Sequence, residues 1–99
     1  MVKTEIYPRK FEEAASRLRA IAHPMRIAII ELLEKKAKMN VTEIYERLQI
    51  EQAAASHHLN ILKSKGVLIS RRSGKNTFYS LKSDTLSKII ECINECNQI

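Results

Sequence analysis

No stretch of this sequence strings together the roughly 18 apolar residues that a membrane-spanning helix requires. Nor does a basic start followed by an apolar run and small residues mark a secretory leader. The expectation is a soluble, cytoplasmic protein with no membrane partner. Cysteine is almost absent: Cys92 and Cys96 are the whole complement, too few and too close together for a secreted disulfide framework. In the cytosol they should be reduced. Glycine is equally scarce, with only Gly66 and Gly74, so there is no Gly-rich loop to cradle phosphates. No nucleophile has an identifiable base and no carboxylates pair, so an enzyme is not expected, and neither is a cofactor. Internal repeats and low-complexity segments are also missing.

What is present is a short basic chain. At 99 residues it is one domain, and a chain of this size buries only about 60–65% of its unfolded surface, so help from a partner subunit is expected. Lys and Arg number 17 against 11 Asp and Glu, a formal net charge of +6 that favours an anionic partner, nucleic acid first. Between positions 51 and 76, Lys63, Lys65, Arg71, Arg72 and Lys75 stand against Glu51 alone, so much of the excess charge gathers in one region.

The chain is organised around Glu43 to Gly66. Val41, Ile44, Tyr45 and Leu48 recur at helical spacing, and Asn40 followed by Glu43 makes a capping-box start. After a short break, Ala55, Leu59 and Leu62 fall on one face of a second helix, while Gln52, Ser56, Asn60 and Lys63 fall on another. A helix of this kind packs on one side and offers short polar side chains on the other, as reading a DNA major groove demands. The pair is a helix-turn-helix candidate. Two helices precede it. Phe11, Ala14, Ala15, Leu18 and Ile21 form an amphipathic stripe after a loose arm over 1–10, and that stripe suits either the domain core or a partner subunit. Pro24 opens a helix running to about Lys36 that is apolar nearly all round and therefore central. Lys35, Lys36 and Lys38 near its end are expected to be a solvated cluster that suits the helix dipole. After Gly66, Val67–Ile69 and Thr77–Leu81 read as strands around a turn at Ser73–Asn76, a β-hairpin with Arg71, Arg72 and Lys75 near its tip. Cations there can meet phosphate or a narrow minor groove. A last helix starts at Ser83 or Asp84 and carries Leu86, Ile89, Ile90 and Ile93 on one stripe.

These motifs carry a family resemblance. LRAIAHPMRIAIIELL, AAASHHLNILKSKGVL and SRRSGKNTFYSL, in this order over about Leu18 to Leu81, resemble the ArsR (ArsR/SmtB) family of bacterial winged helix-turn-helix repressors. Two positions depart from the family pattern: Glu51 stands where many relatives have Ser or Thr, and Ala53 where many have a polar residue. The fold class expected is mainly α with a small β-hairpin: four helices, the two hairpin strands and a fifth helix. One domain over 1–99 divides into an arm (1–10), the helix-turn-helix (41–66), the wing (67–82) and a C-terminal dimerisation helix (83–99). The resemblance implies a transcriptional repressor rather than an activator.

The resulting expectation is a sequence-specific regulator of double-stranded DNA. Its candidate DNA-binding residues are Gln52, Ala53, Ser56, His57, Asn60, Lys63, Arg71, Arg72 and Lys75. It should be a homodimer through Phe11, Leu18, Leu86, Ile89, Ile90 and Ile93, binding a palindromic operator. The metal sites of the family are not matched: Asn40 and Thr42 occupy the positions of one cysteine pair, and Ser83, Thr85, Cys96 and Ile99 those of the other common ligand set. His57 and His58, adjacent on a helix, point about 100° apart and do not make a ligand pair. Two alternatives remain: a winged-helix protein-interaction module without DNA contact, and a thiol-based redox or metal sensor through Cys92 and Cys96. The operator, the regulated genes and the inducer are not encoded in any motif.

Overall fold

The computed structural model describes residues 8–82 and residue 95. Its elements in chain order are α1 (Pro8–Ile21), α2 (Pro24–Lys36), β1 (Met39–Asn40), α3 (Val41–Leu48), α4 (Gln52–Ser64), β2 (Leu68–Ser73) and β3 (Asn76–Leu81). The strands form one antiparallel sheet in the order β1-β3-β2. The fifth helix expected over 83–99 lies outside the described residues.

Two features correct the sequence reading. The first helix begins at Pro8, not after an arm ending at Lys10. Proline suits a first helical position because its missing N–H would have had no intrahelical acceptor, the same physics that places Pro24 at the start of α2. A third strand also exists, β1, with Met39 opposite Tyr79 and Asn40 opposite Phe78. A two-residue strand has no period to recognise. It exists only because the wing folds back alongside it.

Local chemistry sets the boundaries. At the start of α3, Asn40 Oδ1 accepts from the Glu43 amide at 2.8 Å while Glu43 Oε1 accepts from the Asn40 amide at 2.9 Å, a complete capping box. Its C-terminus closes with Gln49 in the left-handed region (φ 56°), the Gln49 amide on the Glu46 carbonyl and the Ile50 amide on the Tyr45 carbonyl. The end of α4 repeats this pattern with the residue the geometry favours: Gly66 has φ 75°, and the amides of Gly66 and Val67 reach the carbonyls of Lys63 and Leu62. α2 ends differently. Ala37 has φ 68° and ψ −50°, and the Lys38 amide bonds back to the Lys36 carbonyl at 2.7 Å, a strained γ-turn.

The core gathers Ile21 from α1, Ile29, Ile30 and Leu33 from α2, Met39 from β1, Ile44 from α3, Leu59 and Leu62 from α4, then Val67 and Leu68. α2 contributes Ile29, Ile30 and Leu33 from one arc of its surface, and its flanking apolar residues Ile27 and Leu32 pack partly buried against the same core. The stripe of α1 divides: Ile21 is buried, whereas Leu18 remains 56% exposed and Phe11 52% exposed.

Candidate nucleic-acid interface

The helix-turn-helix is built by α3 and α4, joined through Gln49–Glu51. Ala55, Leu59 and Leu62 have no exposed surface, so the inner stripe of α4 is fixed against the core. That leaves the opposite face to solvent. Gln52, Ala53, His57, Asn60 and Lys63 are exposed and Ser56 is half-buried. Ala54 is exposed beside them, a small apolar position that the sequence reading passed over. Glu51 is the N-cap residue of α4 but its side chain makes no capping hydrogen bond, so its carboxylate stays at the rim of a face that is otherwise neutral or basic.

The wing is a tight hairpin. Ser73 pairs with Asn76, leaving Gly74 and Lys75 as the two turn residues. Positive φ occurs at Gly74 (62°) and not at Lys75, the arrangement in which glycine takes the first central position of a two-residue hairpin loop. Arg71, Arg72 and Lys75 are all exposed. Because side chains alternate along a strand, Arg71 and Arg72 leave opposite faces of the hairpin, so the three cations do not form one cluster on one side. Arg72 Nε reaches back to the Gly74 carbonyl at 3.5 Å, a long approach that leaves the guanidinium exposed. Behind the wing, Lys38 stacks over the Phe78 ring at 5.2 Å. Lys35 pairs with Glu31 at 3.3 Å. Both lysines are thereby engaged within the domain.

A group that the sequence did not single out for DNA binding sits at the base of α4. His23 caps α2 by accepting from the Met25 amide at 3.1 Å through Nδ1. Arg26 donates through Nε to His58 Nδ1 at 3.1 Å and through Nη1 to the Ala20 carbonyl at 3.0 Å. The rings of His23 and His58 lie 4.7 Å apart. Of the two adjacent histidines, His57 is exposed on the outer face of α4 while His58 is half-buried and turned toward α2. Burial lowers the pKa of His58 below its ordinary range, and the charges of His23, Arg26 and His57 push the same way. The signal available in sequence was a histidine directly before a proline at a helix start, with an arginine shortly after it.

Among the described residues, no group of three or more His, Cys, Asp or Glu side chains is placed to hold a metal ion, and Asn40, at one family ligand position, is committed to its capping box. Cys92, Cys96, Leu86, Ile89, Ile90 and Ile93 lie outside the described residues, as do Ser83, Thr85 and Ile99. Among the described residues no helix is long and apolar enough to cross a membrane.

The order of helices and hairpin is shared with known regulators. Residues 23–70 match the family described as "Bacterial regulatory protein, arsR family". An HTH-type transcriptional regulator of Methanocaldococcus jannaschii is 37% identical over 86 residues, which span 87% of this chain and 97% of that protein. The transcriptional repressor PagR of Bacillus anthracis is 36% identical over 83 residues, 84% of this chain and 83% of its own length. The crystal structure of PagR superposes with a TM-score of 0.79 at 33% identity, over 88% of this chain and 99% of that one. HlyU from Vibrio cholerae gives 0.81 at 28% identity, over 91% and 97%. With its helix-turn-helix, its wing and these relatives spanning most of its length, the chain belongs to the ArsR family of bacterial winged helix-turn-helix regulatory proteins.

Proposed function

We propose that this protein is a homodimeric transcriptional repressor that reads a palindromic operator with α4 and holds the flanking DNA with its wing. The observation that carries this reading is the division of α4. Three apolar side chains on one face are wholly buried, while Gln52, His57, Asn60 and Lys63 project from the other with Ser56 between them. Amide, hydroxyl and imidazole groups can match donor and acceptor patterns in a major groove wide enough for a helix. Arg71, Arg72 and Lys75 extend the basic surface onto the wing, where they serve phosphate or a narrow minor groove. The name of PagR as a repressor supports repression over activation.

Dimerisation follows from the apolar surface that one subunit leaves open. Leu18 and Phe11 are more than half exposed on α1, and the apolar stripe Leu86, Ile89, Ile90 and Ile93 follows the wing in sequence. A two-fold dimer through these stripes would set two copies of α4 about one DNA turn, roughly 34–36 Å, apart. Zinc, cadmium and arsenite at stoichiometric amounts are not expected to release it from DNA, because neither family ligand set is complete: one has Asn40 and Thr42, the other Ser83, Thr85, Cys96 and Ile99. A thiol-reactive signal would act through Cys92 and Cys96.

The test is selection of bound fragments from genomic DNA, followed by binding to the selected operator and to a scrambled duplex across a salt series. A steep salt dependence with preference for the operator supports the regulator. Absence of duplex binding even at low salt favours a protein-interaction module instead.

A further inference from the structure

The corner where α1, α2 and α4 meet is built from groups that neither face DNA nor fill the core. Arg26 spans it, bonded to His58 on α4 and to the Ala20 carbonyl at the end of α1. An arginine side chain has only donors, so the bond to His58 Nδ1 requires a lone pair on that nitrogen. His58 is therefore neutral in this arrangement, with its proton on Nε2. We infer that Arg26 and His58 form a proton-operated latch that positions the recognition helix: neutral His58 ties α4 to the α1–α2 corner, and protonated His58 gives up that tie, leaving α4 held by its buried stripe alone on this side.

The chemistry of release is simple. A proton taken from solvent onto Nδ1 removes the lone pair, so the imidazolium has two N–H donors and nothing to offer Arg26. Two cations then face each other where a 3.1 Å hydrogen bond had been. The titratable and charged groups acting on His58 are His23 and Arg26, beside and within α2, and His57 from α4 itself, all cationic when charged. α1 presents the Ala20 carbonyl, which Arg26 already occupies. Among the described residues no carboxylate acts on His58, so they leave the new charge uncompensated. His58 is half-buried, open enough to exchange protons with water. Arg26 and His58 act here as positioning residues, holding the helix whose other face carries the side chains read against DNA.

The consequence at an operator rests on the DNA-binding reading above; the latch itself does not. It is tested in the free protein by amide hydrogen exchange, corrected for the intrinsic effect of pH, between about pH 7.5 and about pH 5.5. Protection along α4 is expected to fall relative to the α2 amides of Ile29 and Ile30, by at most about tenfold per pH unit for a single proton. His58→Gln removes the titrating group and offers Arg26 an amide oxygen one bond further out than Nδ1, and should show little of that fall. Operator affinity measured over the same range at constant ionic strength should drop more in the wild type than in His58→Gln. Comparing the two pH ratios cancels the general gain that protons on the reading face give to an anionic ligand. Unchanged α4 protection in the wild type, or an equal fall in His58→Gln, would overturn the latch even if DNA is bound. Loosening of α4 without DNA binding at any pH would keep the latch and sink the regulator reading.

Discussion

Two of the described residues, Gln49 and Ala37, adopt backbone conformations that glycine would adopt more readily. Gln49 closes α3 at φ 56° in a hydrogen-bond pattern for which Gly is the usual residue. Gly66 occupies the same position after α4. Gln49→Gly should therefore raise stability by about 0.5–1 kcal/mol, read as a higher denaturation midpoint with an unchanged slope. Ala37 sits at φ 68° in a γ-turn, and Ala37→Val should lower stability by about 1–3 kcal/mol, since a β-branched side chain crowds that region further. At His58 the prediction concerns pH. Its folded pKa lies below the ordinary 6.5, so the unfolded chain takes up the proton first. Stability present above pH 6.5 is lost as pH falls through that value and levels off once the folded protein also binds the proton. Urea titrations at a series of pH values should show this decline in the wild type and a flatter profile in His58→Gln.

At the scale of elements, the proposed function gives α4 and the wing different parts in recognition. α4 is rotationally fixed because Ala55, Leu59 and Leu62 are wholly buried, and Leu62→Ala should destabilise the domain by about 2–5 kcal/mol, measured by thermal or urea unfolding. Side chains on its outer face can then reach base edges. Gln52→Ala and His57→Ala should each lower the preference for operator over scrambled DNA by about 1–3 kcal/mol where the side chain hydrogen-bonds a base edge. The wing cations belong to a different class. Removing Arg71, Arg72 or Lys75 should weaken operator and scrambled binding alike and reduce the salt slope by about one for each phosphate left without its cation. Since Arg71 and Arg72 project from opposite faces of the hairpin, the two substitutions should differ in size. An unchanged operator preference after the helix substitutions, with preference abolished by Arg72→Ala, would make the wing the sequence reader.

For the whole molecule, the apolar area exposed on α1 bears on assembly. Leu18 contributes little to the core of a single subunit, being 56% exposed, so Leu18→Asp should leave a folded chain while disrupting a dimer built on that face. Sedimentation should then give monomers where the wild type gives dimers, with the circular dichroism spectrum preserved and operator binding much weakened. A wild-type monomer at micromolar concentration would exclude this account. Ile90→Asp and Ile93→Asp should act in the same direction on the C-terminal stripe.

Much of this architecture is written in local chemistry and is legible without coordinates. Pro24 at a helix start, the Asn40–Glu43 capping box, Gly66 after α4 and the Gly74 turn act within a few residues of themselves, so the sequence carries their signals directly. The inner stripe Ala55, Leu59, Leu62 has the helical period, and burial follows it. Other features come only from pairing between distant segments. β1 exists because Met39 and Asn40 find Tyr79 and Phe78 about forty residues away, and Lys38 is drawn to Phe78 through the same pairing. Leu18 and Ile21 belong to one stripe in sequence, yet packing against the neighbouring helices buries Ile21 and leaves Leu18 outside. His57 and His58 are indistinguishable as letters. A rotation of about 100° between adjacent helical positions sends one to solvent and the other to Arg26, and which histidine goes where depends on α2 lying across the base of α4, a placement that only the tertiary fold decides.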